Sequence, residues 1–154
     1  MAGVLADAAL YAYTGGRPPS PNDLRARYRH QVLGRSPDGG EAWCNWIVRT
    51  REPDEAVGYV QATIKDDGRM ADIAWVIGVP WQRRGFATEA ARAMVAWLEE
   101  RGVVTVTAHV HPAHVASERV AEGAGLVATD IVEGGERVWR LVTGTATVSV
   151  RRLP

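Results

Sequence analysis

The stretch Gln82-Arg83-Arg84-Gly85-Phe86-Ala87 separates two strongly patterned segments, and that placement limits what the chain can fold into. Residues 71–79 before it are apolar and strand-like. Residues 88–101 after it carry Ala91, Met94, Val95 and Leu98 at helical spacing, a stripe that needs a core to face. A strand, a glycine bend and a helix in direct succession predict a sheet covered by helices. The bend also has a chemical consequence. With Gly85 at the turn and small Ala87 where the helix opens, several backbone N–H groups can converge on one anion. The helix start adds roughly half a positive charge. Pyrophosphate suits such a nest, and Arg83 and Arg84 add charge without defining its geometry.

The other elements follow from periodicity and turn chemistry. Residues 1–10 pattern as a helix, and residues 14–19, with two glycines and two prolines, as a loop. Ser20 is placed as an N-cap, with Pro21 at the first helical position and Asp23 in the first turn. That helix is expected to reach about Leu33, with Leu24, Tyr28 and Val32 on one face. Strands are predicted over 43–49 and 56–64, and Lys65-Asp66-Asp67-Gly68 signals a hairpin into the strand at 71–79. Residues 103–110 are apolar almost throughout, as expected of a strand covered on both faces. A short helix at 115–124 stops at Gly125, and strands at 126–132 and 137–142 follow. The tail at 145–151 alternates in strand fashion. This order predicts a single α/β (α+β) domain over residues 1–154, a mixed and mostly antiparallel sheet with helices on both faces.

Composition excludes several classes of function. At 154 residues the chain can bury a sizeable core without disulfides or metal. Lys+Arg and Asp+Glu each number 18, so there is no basic excess of the kind nucleic-acid binders show. The single cysteine, Cys44, allows no internal disulfide, which points to a reducing compartment and a buried, inert thiol. The N-terminal residues lack the basic start and long apolar run of a signal peptide, and no stretch approaches the roughly 20 apolar residues that span a membrane. A cytoplasmic protein, monomeric or homodimeric, without a metal site, is the expectation. Neither Gly-x-x-x-x-Gly-Lys-Ser/Thr nor Gly-x-Gly-x-x-Gly occurs, which argues against other common nucleotide sites.

Two segments resemble a known family. Residues 75–90, with Gln82, Gly85 and Ala87 in the Gln/Arg-x-x-Gly-x-Gly/Ala core, are similar to motif A of the GNAT superfamily of acyl-CoA-dependent N-acyltransferases. Residues 111–126, from His111-Pro112-Ala113-His114-Val115-Ala116-Ser117 to Gly125-Leu126, are similar to motif B of its ribosomal-protein N-acetyltransferase-like branch. The resemblance runs over roughly residues 5–142. It implies acetyl-CoA as co-substrate, a primary amine on a small molecule or a protein N-terminus as acceptor, and direct attack of that amine on the thioester. The chain departs from the family pattern in three ways. His114 replaces the usual Asn, Ala121 stands where relatives place a tyrosine acid, and the family's first strand is missing from the N-terminus. The strand-patterned tail is the expected replacement for that strand. These departures also suit an inactive acyl-CoA-binding sensor or partner module.

Site residues follow from the resemblance and from residue chemistry together. Gln82, Arg83, Arg84, Gly85, Phe86, Ala87 and Thr88 are expected to hold the pyrophosphate. Trp75, Val76 and Ile77 are expected at a splayed strand end beside the pantetheine arm, with the Ile77 N–H as oxyanion donor. An amine of pKa near 10.4 is less than about 0.1% neutral at pH 7, so a base is useful. His109 on its strand is the first candidate and Asp72, acting through water, the second; a plain core or surface role competes for His109. Ser117 can donate to the leaving thiolate or simply cap a helix, and His114 can touch the cofactor or cap the same helix. His111, leading into Pro112, suits a turn.

Overall fold

The expected alternation is realised in one sheet of six strands. These are β1 (Ala42–Arg49), β2 (Ala56–Lys65), β3 (Met70–Ile77), β4 (Thr105–Val110), β5 (Val127–Glu133) and β6 (Glu136–Val142), in the order β1-β2-β3-β4-β6-β5. The computed structural model describes residues 1–144; the tail, and with it the expected replacement of a first strand, lies outside the described residues. Every neighbouring pair is antiparallel except β3 and β4. The hairpin signal is correct: Asp66, Asp67 and Gly68 all take left-handed φ, at 55°, 51° and 85°, and turn β2 into β3.

Side-chain parity divides the sheet into two covered faces. On one, Trp46, Val60, Ile73, Trp75 and Val106 meet α2 (Phe86–Glu99) and α3 (Val115–Gly123) in the main core. On the other, Tyr59 and Val76 meet Val4, Leu5, Leu24 and Tyr28, so α1 (Pro21–Gln31) and the N-terminal turns cover that side. The prediction of helices on both faces therefore holds. α2 contributes most: Ala91, Met94, Val95 and Leu98 are all buried, as their spacing requires. Burial of a side chain the size of leucine contributes roughly 1.5–3 kcal/mol.

Two glycines permit close approaches. A Cβ at Gly58, opposite Ile77, would sit 2.1 Å from the Val76 carbonyl oxygen, so only glycine fits there. A Cβ at Gly123 would lie 2.6 Å from Thr88 Cγ2, so its absence lets α3 rest against the first turn of α2.

Several expected boundaries move for identifiable reasons. Residues 1–10 form turns and a short 3₁₀ segment, Ala8–Tyr11, begun by an Asp7 carboxylate that accepts from Ala9 N–H. α1 stops at Gln31, and Val32 becomes its C-cap, 81% exposed instead of on the buried face. β3 ends at Ile77, and Val79–Trp81 forms a 3₁₀ turn, since Pro80 has no N–H to continue a ladder. α2 opens at Phe86, two residues before the expected Thr88.

Candidate active site

The parallel pair β3–β4 is joined only where Met70, Ala71 and Asp72 face Thr105, Val106 and Thr107. Beyond that point both strands continue without pairing, and a fork opens between them. Its closed end is pinned by side chains: the Thr107 hydroxyl donates to the Asp72 carboxylate, and Lys65 Nζ lies 2.6 Å from the other carboxylate oxygen. Burial alone would raise the Asp72 carboxyl, but hydrogen bonds from Lys65 and Thr107, with the Lys65 charge, hold it below the usual carboxylate range.

Backbone polarity makes the fork a binding surface. The Gly78 N–H bonds the Val57 carbonyl, and antiparallel alternation then aims the polar groups of Trp75 and Ile77 away from β2, toward the opening. The Ile77 carbonyl is taken by Gln82 Nε2 at 3.0 Å, which leaves the Ile77 N–H facing the gap. Val76 points its side chain the other way, into the cluster beneath α1.

At the open end of the fork lies the start of α2. Gly85 is its N-cap, with φ 84° and no side-chain cap, and the first helical bond runs from Glu89 N–H to Gly85 O. The N–H groups of Phe86, Ala87 and Thr88 therefore have no partner among the described residues. Arg83 also has left-handed φ, 60°, a conformation that costs a non-glycine residue about 1 kcal/mol and that bends the loop into a concave run of amides. The Arg84 guanidinium lies 5.1 Å from the centre of the Phe86 ring. Uncapped amides, a left-handed pair and two arginines fit a pyrophosphate.

The remaining candidates gather around the fork. Trp75 Nε1 donates to Ser117 Oγ at 3.3 Å, linking β3 to the first turn of α3; the N-cap of α3 is His114, so Ser117 is not the cap. His109 lies on the opposite sheet face, shared with Asp72 and Thr107, and its Nε2 is 3.0 Å from Glu133 Oε2. His114 is the N-cap of α3, yet its side chain makes no capping bond and stacks on Tyr13, with ring centres 4.3 Å apart. Burial, and secondarily His111, push the His114 imidazole below its ordinary range. His111 has the expected turn role, accepting from Ala113 N–H through Nδ1. Cys44 is half-buried on the α2 face, and burial pushes its thiol up.

Residues 1–127 match the acetyltransferase (GNAT) domain. The chain belongs to the GNAT acetyltransferase family. Solved structures show the same fold at low identity. A candidate ribosomal-protein-serine acetyltransferase from Vibrio cholerae is 20% identical, with a TM-score of 0.63, over 79% of this chain and 72% of that one. The aminoglycoside acetyltransferase AAC(6')-Ib, in complex with coenzyme A, is 18% identical with a TM-score of 0.72 over 92% and 86%. Spermidine N-acetyltransferase from Vibrio cholerae, in complex with CoA and spermine, is 17% identical with a TM-score of 0.68 over 90% and 84%. No curated protein sequence matches.

In this GNAT domain the partner of His109 escaped sequence reasoning. Glu133 looks like part of a turn until β5 and β6 fold it toward His109, and no local pattern marks that contact. Tyr13 joins the His111–His114 loop from a distant segment. Among the described residues no helix is long and apolar enough to cross a membrane, and no group of three or more metal-binding side chains gathers.

Proposed function

We propose that this GNAT domain transfers an acetyl group from acetyl-CoA to a primary amine, by direct attack of the amine on the bound thioester. The observation that carries this reading is the uncapped start of α2 adjoining the open fork: an anion site and a strand-like slot, end to end. Backbone N–H groups from Arg83 to Thr88 hold the pyrophosphate, each charge-assisted bond contributing roughly 1.5–3 kcal/mol. The polar edges of Trp75 and Ile77 align the pantetheine arm, and the Ile77 N–H polarises the thioester carbonyl. His114, beside the fork's mouth, borders the same arm.

His109 takes the proton that the ammonium must lose. Asp72, already committed to Lys65 and Thr107 as a carboxylate, is less suited to take that proton and acts on the amine through its charge or a bridging water. Ser117 keeps its own O–H free while its oxygen accepts from Trp75, and can donate to the departing thiolate in place of the tyrosine that Ala121 cannot supply. A covalent enzyme intermediate is disfavoured, since Cys44 lies in β1 with a raised thiol pKa. The acceptor class rests on relatives named for aminoglycosides and spermidine. We place the protein in the cytoplasm as a monomer or homodimer, acting on amines and not on nucleic acid or membranes.

The test is thiol release from acetyl-CoA with spermidine, kanamycin and a short peptide bearing a free N-terminus. His109→Gln should lower kcat about 100-fold with the best of these, in line with loss of a general base. A second reading, an acyl-CoA sensor without turnover, is favoured by the fully buried Ala121. It predicts tight acetyl-CoA binding and no thiol release with any amine.

A further inference from the structure

On the sheet face that carries His109, one contact joins β4 to the end of β5 across the intervening β6. Glu133 ends β5, immediately before the Gly134-Gly135 turn, and both glycines are left-handed at φ 58° and 88°. Those angles give the tight two-residue hairpin whose register pairs Glu133 with Glu136. The register fixes where the Glu133 carboxylate can reach. It lies beside His109, whose own strand partner is Val138 of the intervening β6, and the 3.0 Å contact is made at Nε2.

We infer that Glu133 is a positioning residue for the acyl transfer: it holds His109 as the Nε2–H tautomer and so makes Nδ1 the atom that takes the amine's proton. This inference rests on His109 being the base of the proposed reaction. An imidazole can present only one free lone pair, and the partner of the other nitrogen decides which one it is. In the step, the ammonium N–H bond breaks, its proton forms a bond to Nδ1, and the amine keeps the electron pair it needs to attack the thioester. The imidazolium that results carries its Nε2–H against the Glu133 carboxylate. Other charged groups share this face: Asp72 from β3, Lys65 from β2, and Glu136 and Arg140 flanking Val138 on β6. Lys65 and Asp72 are paired with each other at 2.6 Å, so Glu133 is the carboxylate in contact with the ring.

The experiment combines ring ¹⁵N NMR of His109 with kinetics on three full-length variants. The NMR needs no acceptor. Wild type and Glu133→Gln, whose amide oxygen still accepts, should show the Nε2–H tautomer, and Glu133→Ala should lose that preference. With whichever of spermidine, kanamycin or the peptide supports turnover, Glu133→Ala should lower kcat about tenfold at unchanged KM for acetyl-CoA. Glu133→Gln should keep most of the rate, since its amide oxygen can still accept from Nε2–H. An Nδ1–H tautomer in the wild type, or an unchanged tautomer or unchanged kcat in Glu133→Ala, overturns the inference. If His109→Gln retains full kcat, the choice of base itself fails, which is a separate result.

Discussion

The starts of α1 and α2 solve the same problem in opposite ways. Each leaves N–H groups without a helical partner. At α1 the local sequence satisfies most of them: Ser20 Oγ accepts from Asp23 N–H at 3.1 Å, Asp23 accepts from Ser20 N–H at 2.9 Å, and Pro21 has no N–H to satisfy, so only Asn22 N–H is left without a partner among the described residues. Only Leu24 of α1 is buried, so local capping holds much of this helix. At α2 the cap is a glycine without a side chain, and the helix is held instead by four buried residues. Tertiary packing frees the α2 terminus from needing a cap, and its amides stay available for an anion. A helix start stabilised by its own sequence makes scaffold; one stabilised from elsewhere can make a site.

The largest effect expected from breaking this contrast is in the core. Leu98→Ala, at a fully buried position of α2, should cost about 2–5 kcal/mol in urea unfolding. Ser20→Ala should cost only about 1 kcal/mol and leave acetyl-CoA affinity unchanged, because that cap is remote from the fork. Equal losses from both would mean that α1 and α2 are held alike.

The start of α3 is an intermediate case and gives the smallest expected effect. Its N-cap His114 is covered by Tyr13 and has its pKa lowered by burial, then by His111. A histidine depressed in the folded state adds stability above its unfolded value, near 6.5, and that stability is lost as pH falls through the folded value. Urea midpoints should therefore decline between pH 7.5 and pH 5.5, and less so in Tyr13→Ala. An identical decline in both would detach the effect from His114.

These cases also show what a sequence makes legible. The Ser20–Asp23 box, the Asp66–Gly68 hairpin and the α2 stripe are local, so spacing alone places them. The loop at 82–88 is local in sequence too, although the left-handed Gly85 moves the helix start to Phe86. The fork is not local: it arises because β3 and β4, joined through α2, stay paired for only three residues. Sequence supplied it only through resemblance. Contacts such as Trp75–Ser117 and His109–Glu133 depend on register across strands and helices, and no periodicity encodes them. Residues 1–10 failed as a helix because the stretch is short and Asp7 restarts the chain in a tighter turn.

Calorimetry with acetyl-CoA is the decisive test of the uncapped α2 terminus as a cofactor site. A Cβ at Gly85 meets no heavy atom within 4 Å, so Gly85→Glu adds strain at φ 84° and a carboxylate at the nest with no clash at the Cβ. The intact chain should bind acetyl-CoA with micromolar affinity, and Gly85→Glu should lose at least tenfold with its fold retained by circular dichroism. Equal binding by both proteins, or none by the intact chain, would contradict that assignment.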